Sequence, residues 1–146
     1  MAYADKKSHE QAEKMYKRAI SLDPSNPVAY QNLGNMYRDR GEIDLAIENF
    51  NTAIKLDQKF IFSYNALMSL HLENENYQEA RKVLESYLDY SGSKVDAFFL
   101  LSQIATREGD LPSALDYLEE ALTIDPNNRL IQASIINIKD LIKSKR

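Results

Sequence analysis

The chain has 146 residues, of which 44% are hydrophobic and 27% are charged, a composition typical of a globular protein rather than a disordered tail, a fibre or a membrane protein. It contains no cysteine, which excludes disulfides, a thiolate nucleophile and sulfur-ligated metal sites. A formal net charge of −4 argues against nucleic-acid binding, and no apolar run approaches the ~20 residues of a transmembrane helix, so we expect a soluble, cytoplasmic chain without membrane insertion.

The dominant pattern of the chain is an internal repeat. Alanines recur at intervals of 34 residues, at Ala12, Ala46, Ala80 and Ala114. We call a set of positions with this spacing a column, and other columns are also apolar, such as Tyr16, Phe50, Leu84 and Leu118. A period of this length is typical of stacked supersecondary units. Within each unit the apolar residues recur at helical spacing, which predicts a pair of amphipathic helices per unit.

Eight helices are predicted, with turn residues between them. In chain order they span residues 8–22, 27–40, 43–57, 61–74, 77–90, 95–108, 111–124 and 129–143. Gly41 and Gly109 stand at predicted helix ends, where a residue with positive φ is favoured, and Asp110 is placed to cap the helix that begins at Leu111. No strand is predicted.

Several positions inside the helices are predicted to be packing residues. Alanine at a helix crossing lets two backbones approach closely, so Ala46 is predicted at such a crossing. In the middle unit, Met68 and Tyr87 replace smaller residues of their columns, and we interpret both as core residues. His71 lies on the same apolar face, and we interpret it as a buried histidine rather than a ligand.

The stretch from Pro27 to Phe60 resembles a tetratricopeptide repeat. It carries the residues typical of that family, namely Tyr30, Leu33, Gly34, Tyr37, Gly41, Ala46, Phe50 and Ala53. Residues 61–94 and 95–128 keep the same length and spacing, residues 8–26 correspond to the second helix of a half repeat, and residues 129–146 form a predicted capping helix. The resemblance implies a single all-α domain over residues 1–146, an αα-superhelix of about eight antiparallel helices.

The two ends of the array raise different expectations. The half repeat has an apolar face, made of Ala12, Met15, Tyr16 and Ala19, that lacks a preceding partner helix. We expect either a piece of a longer array, which we favour, or an edge that another subunit covers in a homo-oligomer. The last helix is interpreted as a cap rather than a membrane-surface or partner helix, with one apolar side made of Leu130, Ile131, Ile135, Ile138, Leu141 and Ile142.

The resemblance also implies a binding surface, because tetratricopeptide arrays hold peptides or protein segments in a concave groove lined by the first helix of each repeat. The corresponding positions here are Gln31, Asn32, Asn35, Arg38, Phe62, Asn65, Ser69, Leu72, Phe99, Gln103, Thr106 and Arg107. Amide side chains both donate and accept hydrogen bonds, and together with apolar anchors they suit an extended peptide. Two interpretations compete with this one. The amides are then only solvated surface groups, and the aromatic rings of Phe62 and Phe99 are buried by a neighbouring helix.

No catalytic constellation emerges from the sequence. His9 and His71 lie in different units, no glycine-rich phosphate loop exists among the four glycines, and the acidic residues are scattered over helix surfaces. We therefore expect no enzyme activity, no cofactor and no metal, and a protein or peptide as partner. The expected function is a protein–protein interaction scaffold. The alternatives are an assembly module that uses the N-terminal helix, and the recruiting segment of a larger, possibly enzymatic protein.

Overall fold

The computed structural model describes residues 2–91 and 93–146, and it describes side chains for residues 6–90 and 93–146. These residues form eight helices and no strand. The helices are α1 (Ala2–Leu22), α2 (Pro27–Asp39), α3 (Ile43–Leu56), α4 (Ile61–Glu73), α5 (Tyr77–Ser91), α6 (Lys94–Glu108), α7 (Leu111–Ile124) and α8 (Arg129–Ser144). The predicted all-α class is confirmed. None of the described helices is long and apolar enough to cross a membrane.

The helix bounds agree with the repeat pattern everywhere except at the start. Helices α2 to α8 begin and end within one residue of the predicted positions. Helix α1 instead begins at Ala2, well before the predicted start at Ser8. The preceding residues hold no proline or glycine and include alanine and lysine, which favour helix, although they lack the apolar period on which the prediction relied.

The turns between paired helices share one backbone conformation. Gly41 has φ +76° and Gly109 has φ +83°, which confirms the predicted positive φ at both. Glu75 occupies the same column and also has a positive φ, of 58°. A residue other than glycine is strained by about 1 kcal/mol at positive φ. The turn at Glu75 is therefore intrinsically weaker than the turns at Gly41 and Gly109. Asp110 accepts a hydrogen bond from the backbone N of Ser113, as expected of a helix cap.

The chain divides into two compact units, Met1–Leu70 and His71–Arg146. In the first, α2 packs against α3, whose Ala46, Phe50 and Ala53 are fully buried. The burial of Ala46 is as expected for a helix crossing, and Gly34 lies directly against the Phe50 ring. Met68 is buried as predicted. Helix α1 packs against the other side of α2.

The second unit contains a core formed by α6, α7 and α8. Its buried members are Ala105, Leu111, Ala114, Leu118, Ala121, Ile131, Ile135 and Ile138. Helix α8 thus packs one apolar side against α7. Leu130 and Leu141, predicted on that side, are instead exposed, because the helical period places both at its edge. Tyr87 is buried as predicted.

Candidate functional site

In the first unit the candidate site is a surface on two neighbouring helices. We call it the α2–α4 surface, and its members are Asn32, Asn35, Arg38, Phe62, Asn65 and Ser69. A buried hydrogen bond joins the two helices, with the Ser63 hydroxyl donating to Oε1 of Gln31 at 2.5 Å. Ser63 is completely buried, and its column otherwise holds Ala29 and Ala97, which are also buried. Small residues in this column allow the close approach of neighbouring helices.

Gln31 therefore has a different position from the other predicted site residues. Its side chain is buried and its amide oxygen is already engaged by Ser63, so it joins α2 to α4. Sequence reasoning missed Ser63, although the column of small residues could have indicated it. A buried amide opposite a serine hydroxyl is a satisfied polar pair, and breaking it would leave an unpaired group in the core.

Phe62 is the most prominent member of the α2–α4 surface. Its side chain is 64% exposed, and its ring meets the Phe60 ring edge to face with centroids 5.5 Å apart. This contact restrains the Phe62 ring while leaving most of it open to solvent. An oriented and exposed aromatic ring is a typical anchor for a partner side chain.

The polar members of the α2–α4 surface surround this ring with hydrogen-bonding groups. Asn32 and Asn65 are exposed, whereas Asn35, Arg38 and Ser69 are half-buried. The Arg38 guanidinium is 3.9 Å from the carboxylate of Asp39, a distance at which the ion pair is weak. These side chains can therefore donate to and accept from a peptide backbone.

The remaining predicted site residues belong to the second unit. Gln103 and Arg107 on α6 are exposed, while Phe99 is half-buried and packs against the α6–α8 core. The Thr106 hydroxyl donates to the backbone oxygen of Ser102 at 2.7 Å, and Leu72 is buried. Within this unit, Gln103 and Arg107 thus have the most accessible side chains of the predicted set.

Two ion-pair clusters link neighbouring helices. Glu13 of α1 accepts hydrogen bonds from Lys17 Nζ at 2.7 Å, Arg40 Nη1 at 2.7 Å and the Tyr37 hydroxyl at 3.0 Å. The bonds from Lys17 and Arg40 hold the pKa of Glu13 at about 2, below its ordinary 4.5. In the second unit, Arg81 pairs with Glu108 at 2.5 Å. Arg81 stands in the column of Glu13, and Glu108 stands in the column of Arg40. The two ion pairs therefore occupy equivalent positions with the charges exchanged.

The titratable groups among the described residues form no metal-binding arrangement. No three His, Asp or Glu side chains in this part of the chain are grouped closely enough to hold a metal ion. His71 is half-buried, and its burial lowers the pKa of the imidazole, which favours the neutral form. His71 is thus less buried than its interpretation from sequence expected.

Comparison with known sequences identifies the family. Sequence models described as "Tetratricopeptide repeat" match residues 27–60 and 65–129, and one described as "TPR repeat" matches residues 2–37. Together these matches cover most of the chain. The chain belongs to the tetratricopeptide repeat family. Members of this family bind protein or peptide partners and generally act as scaffolds without catalysis.

Similar proteins place this chain among larger relatives. It is 24% identical to the mitochondrial import receptor subunit TOM70 of Homo sapiens over 102 residues, which are 69% of this chain and 17% of that protein. The crystal structure of MamA matches with a TM-score of 0.65 at 24% identity, covering 94% of this chain and 80% of that one. YrrB, described as having an unusual peptide-binding site, matches with a TM-score of 0.61 at 22% identity. The match covers 85% of this chain and 64% of the YrrB chain. These structural matches show the helical-repeat fold.

Proposed function

We propose that this chain is a non-catalytic scaffold that binds an extended peptide segment of a partner protein through the first helices of its repeats. In the first unit the binding residues are those of the α2–α4 surface. In the second unit they are the exposed Gln103 and Arg107 of α6, with the half-buried Phe99 beside them. The observation that carries the proposal is the exposed, oriented Phe62 ring among amide side chains.

The chemistry of the α2–α4 surface favours a peptide backbone over a charged small molecule. Asn32, Asn35 and Asn65 each present both a donor and an acceptor, which matches the alternating N–H and C=O groups of an extended chain. Phe62 offers apolar area to one side chain of the peptide. Arg38 is the only cation of this surface, so a strongly anionic ligand would be poorly matched by charge. YrrB, whose description names a peptide-binding site, shares the fold and supports this proposal by analogy.

The test begins with selection of peptides that bind the full chain from a displayed random library. The dissociation constant of a selected peptide is then measured by fluorescence anisotropy, and we expect about micromolar affinity. Phe62→Ala should weaken binding about tenfold or more, because a central aromatic anchor carries much of the binding energy. Asn65→Ala should weaken it by a smaller factor, in line with the loss of one hydrogen bond.

Matched controls separate the surface from general effects of substitution. Tyr90→Ala removes an exposed aromatic ring and Asn51→Ala removes an exposed amide, and both lie on second helices of their repeats. Neither should change the affinity, and circular dichroism should show that all four variants are folded. Peptide affinities that are equal in Phe62→Ala and wild type would refute the proposed site.

A further inference from the structure

Two neighbouring first helices each expose an apolar side chain in their first turn. Val28 of α2 is 48% exposed and Phe62 of α4 is 64% exposed. They are 34 residues apart, so they occupy the same column, and both belong to the first compact unit. We call these two residues the apolar pair. Val28 stays exposed although α1 and α3 both pack against α2, so its exposure is a property of this side of the helix.

Local hydrogen bonds hold the backbone at both members of the apolar pair. The backbone N of Val28 donates to Oδ1 of Asn26 at 3.0 Å, which caps the start of α2. At the start of α4, the Tyr64 hydroxyl donates to the backbone oxygen of Gln58 at 3.1 Å and ties the helix to the preceding turn. The two side chains therefore project from anchored first turns, and a ligand meets them at a fixed separation.

The packing of α2 on α4 sets this separation. The hydrogen bond from Ser63 to Gln31 and the small residues in the Ser63 column bring the two helices into direct contact. Equivalent positions on two packed helices are about as far apart as the helix axes, which is about 8–10 Å. A ligand that contacts both Val28 and Phe62 must therefore present two side chains at this separation and on one of its sides.

Among the regular conformations of a peptide, polyproline II fits this separation best. It has three residues per turn and a rise of about 3.1 Å per residue, so residues i and i+3 lie on one side about 9 Å apart. In a β-strand, residues on one side are about 7 Å apart at i and i+2 or about 13 Å apart at i and i+4, and neither spacing fits. An α-helix reaches about 10 Å only between residues seven positions apart.

The amides beside the apolar pair distinguish polyproline II from an α-helix. Asn32 follows Val28 by one helical turn, Asn65 follows Phe62 by one turn, and both amides are exposed. A polyproline II segment has no internal hydrogen bonds, so its backbone carbonyl groups are free to accept from these amides. The backbone groups of an α-helix are already bonded to each other. A helical ligand would therefore leave both amides without a backbone partner.

The charge of the α2–α4 surface favours an uncharged segment. Its single cation, Arg38, lies 3.9 Å from the carboxylate of Asp39, so the two charges offset each other. The other members of the surface are amides, a hydroxyl and an aromatic ring. Complementary charge gives specificity to many interfaces, and here it offers nothing to a strongly acidic or basic ligand. A segment of proline and aliphatic residues matches the surface in charge.

We propose that the α2–α4 surface recognises a polyproline II segment of a partner protein, in which apolar residues at positions i and i+3 contact Val28 and Phe62. The backbone carbonyl groups of this segment accept hydrogen bonds from Asn32 and Asn65. The inference rests on the function proposed above, because it names the ligand class of the same surface and adds Val28 to the binding residues.

The test uses the full chain and three peptides of equal length labelled with fluorescein. The first has two leucines three residues apart in a host of prolines. The second has the same composition with the leucines two residues apart, which places them on different sides of the polyproline II helix. The third keeps the first spacing but has glycine in place of each proline. Fluorescence anisotropy should show binding of the first peptide and about tenfold weaker binding of the other two, because the second loses one anchor and the third must be ordered on binding.

Variants of the chain locate the two contacts. Val28→Ala should weaken binding of the first peptide about threefold or more, because two methyl groups leave the contact. Leu45→Ala is the matched control, since it removes an exposed aliphatic side chain from the first turn of a second helix, and it should leave the affinity unchanged. In double-mutant cycles, alanine in place of one leucine should abolish the effect of Val28→Ala, and alanine in place of the other should abolish that of Phe62→Ala. Circular dichroism should show that the variants are folded.

Two results would overturn the inference. One is an equal affinity of the first peptide and either of the other two, and the other is an affinity for the first peptide that Val28→Ala leaves unchanged. Peptides selected from the random library separate this failure from that of the proposed function. If Phe62→Ala weakens their binding while the first peptide does not bind, the surface binds peptides and the polyproline II ligand is wrong. If Phe62→Ala leaves their binding unchanged, the proposed function itself fails.

Discussion

Packing between Gly34 and Phe50 offers a sharp test of the fold. In Gly34→Ala the added methyl group would lie 2.6 Å from Cε1 of Phe50, whose ring is fully buried. Exchanging glycine for alanine inside a helix stabilises it by about 1 kcal/mol, whereas overpacking of this kind costs about 1–3 kcal/mol. We expect a net loss of about 1 kcal/mol in the free energy of unfolding.

A second substitution should reverse the effect of the first. Phe50→Leu alone removes part of a buried ring and should cost about 1–2 kcal/mol. In the double variant the leucine makes room for the new methyl group, so the helix gains from alanine without the clash. The double variant should therefore be about 1 kcal/mol more stable than Phe50→Leu alone, with a coupling energy of about 2 kcal/mol. The sequence follows this rule elsewhere, since Ser102 in the column of Gly34 accompanies Leu118 in the column of Phe50.

Equilibrium unfolding in urea, followed by circular dichroism, measures all four members of this cycle. The slopes of the unfolding transitions should be equal, so that shifts of the midpoint report stability alone. A double variant that is less stable than Phe50→Leu would refute the reasoning, because the alanine would then be unfavourable for a cause other than contact with the ring.

Three further predictions concern stability and use the same unfolding measurement. Ala46→Leu should lower the free energy of unfolding by about 1–3 kcal/mol, because Ala46 is fully buried where α3 packs on α2. Ala133→Leu, at an exposed position, should leave it nearly unchanged. Equal unfolding midpoints for the two variants would contradict the packing role of Ala46. Glu13→Gln should cost about 1 kcal/mol at neutral pH. The pKa of Glu13 in the folded chain is about 2, below the ordinary 4.5. The stabilisation by the Glu13 carboxylate is therefore complete above pH 4.5 and is lost as the pH falls toward 2. A stability difference between wild type and Glu13→Gln that stays constant over this range would contradict the prediction. Gly109→Ala should cost about 1 kcal/mol through backbone strain alone, because φ is +83° and no atom lies within reach of the added methyl group; an unchanged midpoint would count against it.

The site was only partly predictable from the sequence. The period of 34 residues correctly indicates which positions belong to the first helices, and Phe62, Asn65 and Gln103 are exposed there. Gln31 and Leu72 carry the same periodic signature yet are buried. Positions at the edge of a helix face become buried or exposed according to how closely the neighbouring helix approaches, and the repeat period contains no information about that distance.

The sequence by itself determined the all-α repeat, the helix bounds from α2 to α8, the turn glycines and the buried alanine columns. These features depend on local backbone preferences and on a strict period, both of which can be counted along the chain. The tertiary structure alone decided that Ser63 and Gln31 pair inside, and that Phe62 is open whereas Phe99 packs on a core. Each of these outcomes depends on which side chains meet across two helices, because burial is a property of the pair of surfaces and not of either sequence position alone.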